Sequence, residues 1–355
     1  NAPPAIAFDF ITTTSPISCY GFNDGVISAQ GINGVGGYEY SIDGGVTVQA
    51  SGVFPSLSAG DYEITIFDDN NCEFSETYSL TQPQEISILS TTITSDYNGS
   101  EVSCFGASDA VLNIDISGGT APYGYSLAPN PAILPIPMNN LITNLSAGTQ
   151  TIVVFDANNC ESSPQLFEVN QPNELIIDLI DVVQPITCNS ECDAILNIQA
   201  SGGTSPYIYD VDGNNNGNNN IISNVCSGNP LVTLEDLNGC SVQLNGLVTN
   251  PSELSLTASI ISDYSAFGIS CQNASDGIVQ VNTTGGSGGE YIYSINGGLT
   301  FPYSSSTTLD INSLGQGIYT VVAMDSNMCE SLPVDLVLNA PPAIAFDFIT
   351  TTSPI

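Results

Sequence analysis

The chain has 355 residues and carries 36 Asp and Glu but no Lys, Arg or His, so its formal net charge is −36. Binding to nucleic acid and electrostatic docking on an anionic membrane are excluded, because both need cationic side chains. Without His or Lys there is also no catalytic triad and no Schiff base, and nothing marks a pair of catalytic carboxylates, so we predict that the protein is not an enzyme.

A nested repeat begins at the first residue. The opening 17 residues, NAPPAIAFDFITTTSPI, recur without a change at 339–355, an offset of 338 residues. Cysteine-led phrases recur inside this period at shorter spacings of 85, 84 and 83 residues. We expect the chain to be a segment of a longer tandem array of 338-residue super-repeats, each with four modules. The predicted ranges are module 1 (1–81), module 2 (82–170), module 3 (171–249), module 4 (250–338) and the start of the next super-repeat (339–355).

Each module boundary is marked by a proline followed by an apolar segment. Proline fixes its own φ and restricts the residue before it, so these positions predict short, stiff joints rather than flexible linkers. The junction prolines are Pro3, Pro83, Pro172, Pro251 and Pro341.

Within module 1, Tyr62, Ile64 and Ile66 alternate with polar residues, which is the period of a half-buried strand. Matching segments occur at 151–155 and 318–324, turn signals fall every 8 to 12 residues or so, and no segment has a sustained helical stripe. The predicted fold is all-β, with tandem immunoglobulin-like antiparallel β-sandwich modules of about seven strands each.

Ten cysteines predict a disulfide framework and an oxidising, extracytoplasmic location. Metal-thiolate sites are the alternative, but those usually use close CxxC pairs and often His. Each module has one early and one late cysteine, and we predict that these pair within the module, with a fifth bond in module 3. The predicted pairs are Cys19 with Cys72, Cys104 with Cys160, Cys188 with Cys240, Cys271 with Cys329, and Cys192 with Cys226.

A glycine pair precedes a tyrosine doublet in three modules, at 118–119, 202–203 and 285–286, and permits a tight turn with positive φ. Two interpretations of the doublets stay open: packing in the core or at an edge, or an aromatic platform for a ligand. The tyrosines concerned are Tyr38, Tyr40, Tyr123, Tyr125, Tyr207, Tyr209, Tyr291 and Tyr293.

Aspartates precede the late cysteines at Asp68, Asp156, Asp236 and Asp325. Such side chains commonly bind nearby backbone N–H groups in turns, and calcium bridging at module junctions is the alternative. The loop in module 3 also places oxygen ligands at every second residue, as calcium loops do, although Ile221 stands where a bidentate Glu is expected. No cofactor is required, and Ca²⁺ is the candidate. This loop contains Asp210, Asp212, Asn214 and Asn216.

The phrases C-x-G-x-x-D-G, S-G-G-T-x-P-Y-x-Y and L-x-A-G, followed by D-x-N-x-C, resemble the SprB-type repeat of giant surface adhesins of gliding Bacteroidota. The resemblance covers all four modules, although module 3 departs from the pattern and inserts GNNNGNNN. It implies an exported, filamentous cell-surface adhesin and does not identify a ligand. Module 2 matches through Cys104, Gly118, Gly119, Thr120, Pro122, Tyr123, Leu145, Ala147, Gly148, Asp156, Asn158 and Cys160.

We therefore expect an extracellular structural shaft of tandem super-repeats that supports adhesion or gliding. Two alternatives are a carbohydrate- or surface-binding repeat module and a self-assembling filament or sheath subunit. The expected partners are further copies of the sequence, in tandem and laterally, and an unidentified surface or glycan. No apolar run approaches the roughly 18 residues of a membrane span, so direct membrane insertion is not expected.

Overall fold

The computed structural model describes residues 4–347, which form 27 strands in eight sheets. These residues contain no helix that could cross a membrane. All strand pairings between the named strands are antiparallel, which confirms the all-β prediction. The chain divides into two compact units, Asn1–Glu174 and Leu175–Ile355. Pro3 and residues 348–355 lie outside the described residues, so the predicted role of Pro3 is not addressed.

Module 1 is a sandwich of two three-stranded sheets. One sheet has the order β1-β2-β4, and the other has the order β3-β5-β6. The strands are β1 (Ala7–Ser15), β2 (Gly25–Ile32), β3 (Tyr38–Ser41), β4 (Val53–Leu57), β5 (Gly60–Asp68) and β6 (Glu73–Leu80).

Module 2 adds one strand at the edge of the second sheet. Its sheets have the orders β7-β8-β11 and β10-β9-β12-β13. The strands are β7 (Ser87–Ile93), β8 (Ala110–Ser117), β9 (Gly124–Leu127), β10 (Asn130–Pro135), β11 (Leu141–Leu145), β12 (Gly148–Phe155) and β13 (Gln165–Val169).

Modules 3 and 4 repeat the seven-stranded arrangement of module 2, as predicted. Their sheets have the orders β14-β15-β18 with β17-β16-β19-β20, and β21-β22-β25 with β24-β23-β26-β27. The strands of module 3 are β14 (Ile176–Gln184), β15 (Ala194–Ser201), β16 (Ile208–Val211), β17 (Asn214–Asn215), β18 (Ile221–Val225), β19 (Leu231–Glu235) and β20 (Ser241–Asn245). Those of module 4 are β21 (Ser252–Ile260), β22 (Gly277–Gly286), β23 (Tyr291–Ser294), β24 (Tyr303–Ser305), β25 (Thr308–Leu314), β26 (Gly317–Met324) and β27 (Val334–Leu338).

The second strand of each module supplies the centre of the core. Side chains alternate between the two faces of a strand, so every second residue points inward. On β8 these are Ala110, Leu112 and Ile114, all essentially inaccessible to solvent. Burying such a branched side chain contributes about 1.5–3 kcal/mol. Four such clusters form, one for each sandwich, while the exact module boundaries stay predictions.

The glycine pairs adopt positive φ, as their sequence positions predict. Gly285 and Gly286 have φ of 87° and 60°. A Cβ atom on Gly286 would lie 2.4 Å from the Asp325 carboxylate, and one on Gly119 would lie 3.1 Å from the Asp156 side chain. The second glycine of the pair therefore lets the turn pack directly on the aspartate that precedes the late cysteine.

Substituting this glycine tests the close packing separately from the backbone strain. Gly286→Ala and Gly288→Ala both place a side chain at positive φ, which costs about 1–2 kcal/mol. Only Gly286→Ala also forces a methyl group onto Asp325, because a Cβ at Gly288 meets no atom within 4 Å. We expect Gly286→Ala to lower the free energy of urea unfolding by a further amount of about 1–3 kcal/mol. Equal losses in the two variants would contradict this packing.

Candidate functional site at the module junctions

Disulfide bonds join consecutive modules. Cys19 of module 1 is bonded to Cys160 of module 2, and Cys188 of module 3 to Cys329 of module 4. In each pair the cysteines are 141 residues apart in sequence and their Cα atoms are 5.6 Å apart. Each bond therefore links the early cysteine of one module to the late cysteine of the next.

The predicted pairing of early and late cysteines inside one module is wrong in every case. The partners found for Cys160 and Cys329 exclude all four predicted pairs, and Cys104 and Cys240 are also disulfide-bonded. The intramodule bond predicted between Cys192 and Cys226 is confirmed.

The reason for the error is that the two cysteine loops lie at opposite ends of the sandwich. Cys72 directly precedes β6, whereas the loop that carries Cys19 binds the second residue after β6, through an N–H from Gly21 to Gln82 Oε1 at 2.7 Å. The eight residues of β6 span roughly 26 Å at about 3.3 Å per residue. A disulfide needs Cα atoms within about 7 Å, so the two loops of one module cannot be bonded.

The early cysteine loop is closed by an aspartate six residues after its anchoring residue. Asp24 Oδ1 accepts the Ser18 N–H at 3.1 Å, and Asp193 Oδ1 accepts the Thr187 N–H at the same distance. The Ser18 hydroxyl and N–H lower the pKa of Asp24, and the same groups of Thr187 lower that of Asp193. A charged carboxylate thus holds the loop that presents Cys19 or Cys188.

The late cysteine turn is built around a second aspartate, which is buried. Asp156 Oδ1 accepts the N–H groups of Asn158 and Cys160 at 2.8 and 2.9 Å. Its Oδ2 accepts the N–H of Thr120, beside the glycine pair, at 2.9 Å. The three equivalent aspartates bind backbone N–H groups in the same way and are also buried, which confirms the predicted turn role. They are Asp68, Asp236 and Asp325.

Sequence reasoning missed a polar contact that accompanies each bond. The Asn158 side chain donates from Nδ2 to the Ser18 carbonyl at 3.3 Å, and Asn327 donates in the same way to Thr187 at 3.2 Å. The D-x-N-x-C spacing was visible in the sequence, but the acceptor carbonyl lies 140 residues away along the chain. Cys19 itself packs into the core cluster of module 2.

The junction prolines border these bonds. Residues 81–86 connect β6 to β7, with Leu80 and Ile86 buried at either side of Pro83. Pro83 and Ile86 line a groove of about 340 Å³ together with Tyr20 and both bonded cysteines. Pro251 lines the equivalent groove, of about 500 Å³, between modules 3 and 4. Pro172 is buried, and Pro341 is half-buried. The joint therefore consists of a short proline-bearing linker beside a disulfide.

The tyrosine doublets belong to the core. The inner rings, Tyr40, Tyr125, Tyr209 and Tyr293, are buried, which contradicts a ligand platform for them and supports core packing. The reason is that two residues separated by one on a strand share a face, and here that face is inward. The outer hydroxyls donate to backbone carbonyls near the glycine turns: Tyr38 to Asn33, Tyr123 to Gly118, Tyr207 to Gly202 and Tyr291 to Gly285.

The candidate calcium loop is a tight hairpin between β16 and β17. Asp212 and Gly213 have φ of 54° and 82°, as expected of a two-residue Asp-Gly turn. Asp210 Oδ1 accepts the Gly213 N–H at 2.8 Å, and Asp212 Oδ1 accepts that of Leu231 at 2.8 Å. The Asn214 and Asn216 amides donate to nearby carbonyls. Residues 4–347 contain no group of three or more acidic or Cys side chains that could hold a metal, and calcium binding stays a prediction.

The comparisons with known proteins bear on the repeat. A model of the SprB repeat matches residues 97–132, which confirms the SprB-type repeat recognised in the sequence. No curated protein sequence matches the chain. The repeat and the disulfide-bonded all-β fold indicate a surface adhesin-like, non-enzymatic repeat protein and are consistent with an extracellular location.

Several solved structures are similar at low identity. The four N-terminal Ig domains of Dscam1 isoform 9.44 share 11% identity over 96% of this chain and 100% of that one, with a TM-score of 0.24. Fibronectin(III)-like modules of CbhA from Clostridium thermocellum share 12% identity over 46% and 95%, with a TM-score of 0.24. A C-terminal fragment of intimin shares 13% identity over 48% and 67%, with a TM-score of 0.26. These scores add nothing to the fold assignment, which rests on the strand order of each module.

The carboxylates that hold the loops predict how stability depends on pH. Hydrogen bonds from Thr47 and Ser41 lower the pKa of Asp43 to about 2, and the Cys72 N–H lowers that of Asp68. A lowered folded-state pKa contributes stability above the unfolded value of 3.8 and loses it as the pH falls through the folded value. We therefore expect the free energy of unfolding to decrease from about pH 4 to about pH 2.

Urea unfolding in 1 M NaCl measures this decrease while screening the repulsion between carboxylates, since the Debye length is then about 3 Å. Asp43→Asn is expected to make the decrease shallower. Asp115→Asn, which removes an exposed carboxylate on β8, is the charge-matched control, and the decrease should be shallower in Asp43→Asn than in this variant. Stability that is constant or higher at pH 2 would contradict the role assigned to these carboxylates.

Proposed function

We propose that this chain is a segment of the shaft of a long extracellular filament or surface adhesin, built from tandem 338-residue super-repeats. The observation that carries the proposal is that disulfides join modules in series, from one end of a sandwich to the facing end of the next. A disulfide between modules holds consecutive modules together in a row, whereas a module that acts alone in binding or catalysis needs disulfides only within itself.

The joints between modules 1 and 2 and between modules 3 and 4 support a mechanical function because each has two covalent connections. Modules 1 and 2 are linked by the main chain at 81–86 and by the bond between Cys19 and Cys160. Tension follows the shortest covalent path, so the bond carries it past residues 20–159. The bond between Cys188 and Cys329 does the same for residues 189–328. A module in these segments can unfold without lengthening the shaft.

Charge supports the same proposal. With 36 carboxylates and no cationic side chain, neighbouring filaments repel one another, and divalent cations could join them laterally. Binding of a glycan or a surface by individual modules is the competing proposal. The tyrosine doublets were its main candidate binding site, and their inner rings are core residues that no ligand can reach. Assembly of separate subunits into a sheath is the other competitor.

Pulling a single chain by its ends tests the mechanical function. The oxidised chain leaves only 1–19, 160–188 and 329–355 on the shortest path, which is 75 of the 355 residues because each bond bypasses 140. We expect a maximum extension of roughly 260 Å, against roughly 1,200 Å after reduction, at about 3.4 Å per residue.

Two variants control this force measurement. Cys192→Ser should leave the extension of the oxidised chain unchanged, because its bond with Cys226 lies inside the bypassed segment 189–328. Cys160→Ser should lengthen the chain, because residues after Cys19 then rejoin the path. An oxidised chain that extends as far as the reduced one would contradict a shaft that resists lengthening.

Electron microscopy of native material tests the filament itself. A compact module of about 85 residues should be roughly 35–45 Å long, so four modules predict an axial period of roughly 140–180 Å. Thin cell-attached filaments with this period, and a very large band on a reducing, denaturing gel, are the expected results. Discrete globular particles would overturn the shaft, and a band near 37 kDa would favour the subunit proposal.

A further inference from the structure

Two cysteines form no disulfide bond among residues 4–347, and both are exposed: Cys72 and Cys271. Cys72 is the late cysteine of module 1, and Cys271 is the early cysteine of module 4. An early cysteine pairs with the late cysteine of the following module, as Cys19 does with Cys160. These two are therefore the ones whose partners would belong to a neighbouring super-repeat.

The length of the repeat places the missing partner at the right distance. Cys72 and Cys271 are 199 residues apart within one 338-residue period. The following copy of Cys72 consequently lies 139 residues after Cys271. The two bonds described between consecutive modules span 141 residues each, which is nearly the same separation.

We propose that Cys271 forms a disulfide with Cys72 of the next super-repeat in the same chain, so that the ladder of bonds between modules continues across the boundary. This inference rests on the tandem arrangement proposed above. The step joins two Sγ atoms and releases two protons and two electrons. A disulfide oxidant, such as oxidised glutathione, takes these up and becomes two thiols.

Both halves of the proposed bond are already folded. Asp276 Oδ1 accepts the Ser270 N–H at 3.1 Å, the distance at which Asp24 and Asp193 hold the bonded early loops. Asp68 Oδ1 accepts the N–H groups of Asn70 and Cys72, both at 2.9 Å, as Asp156 does in the bonded turn. Neither loop has to rearrange before the two thiols can meet.

The polar contact that accompanies the other bonds also has both of its groups in place. Asn70 stands where Asn158 and Asn327 stand in the bonded turns, and Ser270 stands where Ser18 and Thr187 stand in the bonded loops. Within residues 4–347 the Asn70 side-chain amide donates no hydrogen bond. Docking of the next copy would supply its acceptor.

Apolar residues after module 4 are exposed where the next module would begin. Ile344 and Phe346 are 100% and 85% exposed. Their counterparts in the first copy, Ile6 and Phe8, pack in the core cluster of module 1. Residues 339–347 thus carry the apolar positions of a first strand, and the following copy would bury them.

One hydrogen bond that other junctions make is missing at this boundary, so the disulfide has less support there. Gln82 and Gln171 each precede a junction proline and bind the loop of the early cysteine, at Gly21 and Gly106. Ala340 holds this position before Pro341 and cannot make the contact. The Asp68 carboxylate also raises the pKa of the Cys72 thiol, which disfavours the reactive thiolate.

Counting thiols in two recombinant chains tests the proposal. One is the 355-residue chain, and the other carries residues 1–338 followed by residues 1–355; both are oxidised with oxidised glutathione. N-ethylmaleimide labelling of the denatured, unreduced proteins should find two reactive thiols in each chain. Four reactive thiols in the longer chain would overturn the proposal, because Cys271 and the following Cys72 would both have remained free.

Peptide mapping identifies the bond directly. Pepsin is suitable because it needs no Lys or Arg and works at acid pH, where protonated thiols exchange slowly. The longer chain should yield a linked peptide pair that contains Cys271 of the first copy and Cys72 of the second. A bond between Cys72 and Cys271 of one copy would overturn the proposal.

Two variants of the longer chain serve as a matched pair. Cys271→Ser in the first copy should give three reactive thiols and remove the linked peptides. Cys192→Ser in the first copy should also give three, by freeing Cys226, but should keep the linked peptides.

Native filaments of the expected period together with four reactive thiols would overturn the proposed disulfide between super-repeats but not the proposed filament shaft. The linked peptides without any filaments on cells would support the pairing and overturn the shaft.

Discussion

The structure depends on one geometric constraint: the two cysteine-bearing loops of a sandwich lie a full strand apart. Cys72 stands at the start of β6 and the loop of Cys19 at its end. A disulfide cannot span that distance, so the early and late cysteines of one module cannot bond to each other and are bonded to neighbouring modules instead. The disulfides of the early and late cysteines therefore connect modules along the chain instead of stabilising single modules. Each closes a loop of about 141 residues, which stabilises the folded chain by about 5 kcal/mol in the chain-entropy model.

A chain without cationic side chains needs another way to accommodate its carboxylates. Here backbone N–H groups are the partners: Asp156 alone accepts three, and the equivalent aspartates repeat the pattern. Charged acceptors make stronger hydrogen bonds than neutral ones, so these turns are firmly held. Acid treatment brings such a chain towards neutrality rather than to a large positive charge. The loss of stability expected at low pH therefore comes from carboxylates whose pKa is lowered by hydrogen bonds, such as Asp43 and Asp68, and not from repulsion between cations.

Doubling the covalent connection changes what unfolding of a module can do. In a simple string, each unfolded module adds its full contour length under tension. Here the bonds at Cys19 and Cys188 carry tension around most of the folded residues. The proline linker then sets the spacing of modules while the disulfide limits their separation. The unpaired Cys72 and Cys271 are the positions at which we propose the same kind of bond to the neighbouring super-repeats.

The sequence by itself determined the repeat, the all-β modules, the turns at the glycine pairs and the backbone role of the aspartates, because each follows from spacing and local conformational preference. It also placed the bond between Cys192 and Cys226, whose partners are only 34 residues apart. Only the tertiary structure decided which end of a sandwich each of the other cysteines occupies, and which face of its strand carries Tyr125. Both depend on the direction of every strand within two packed sheets, and no local spacing encodes that.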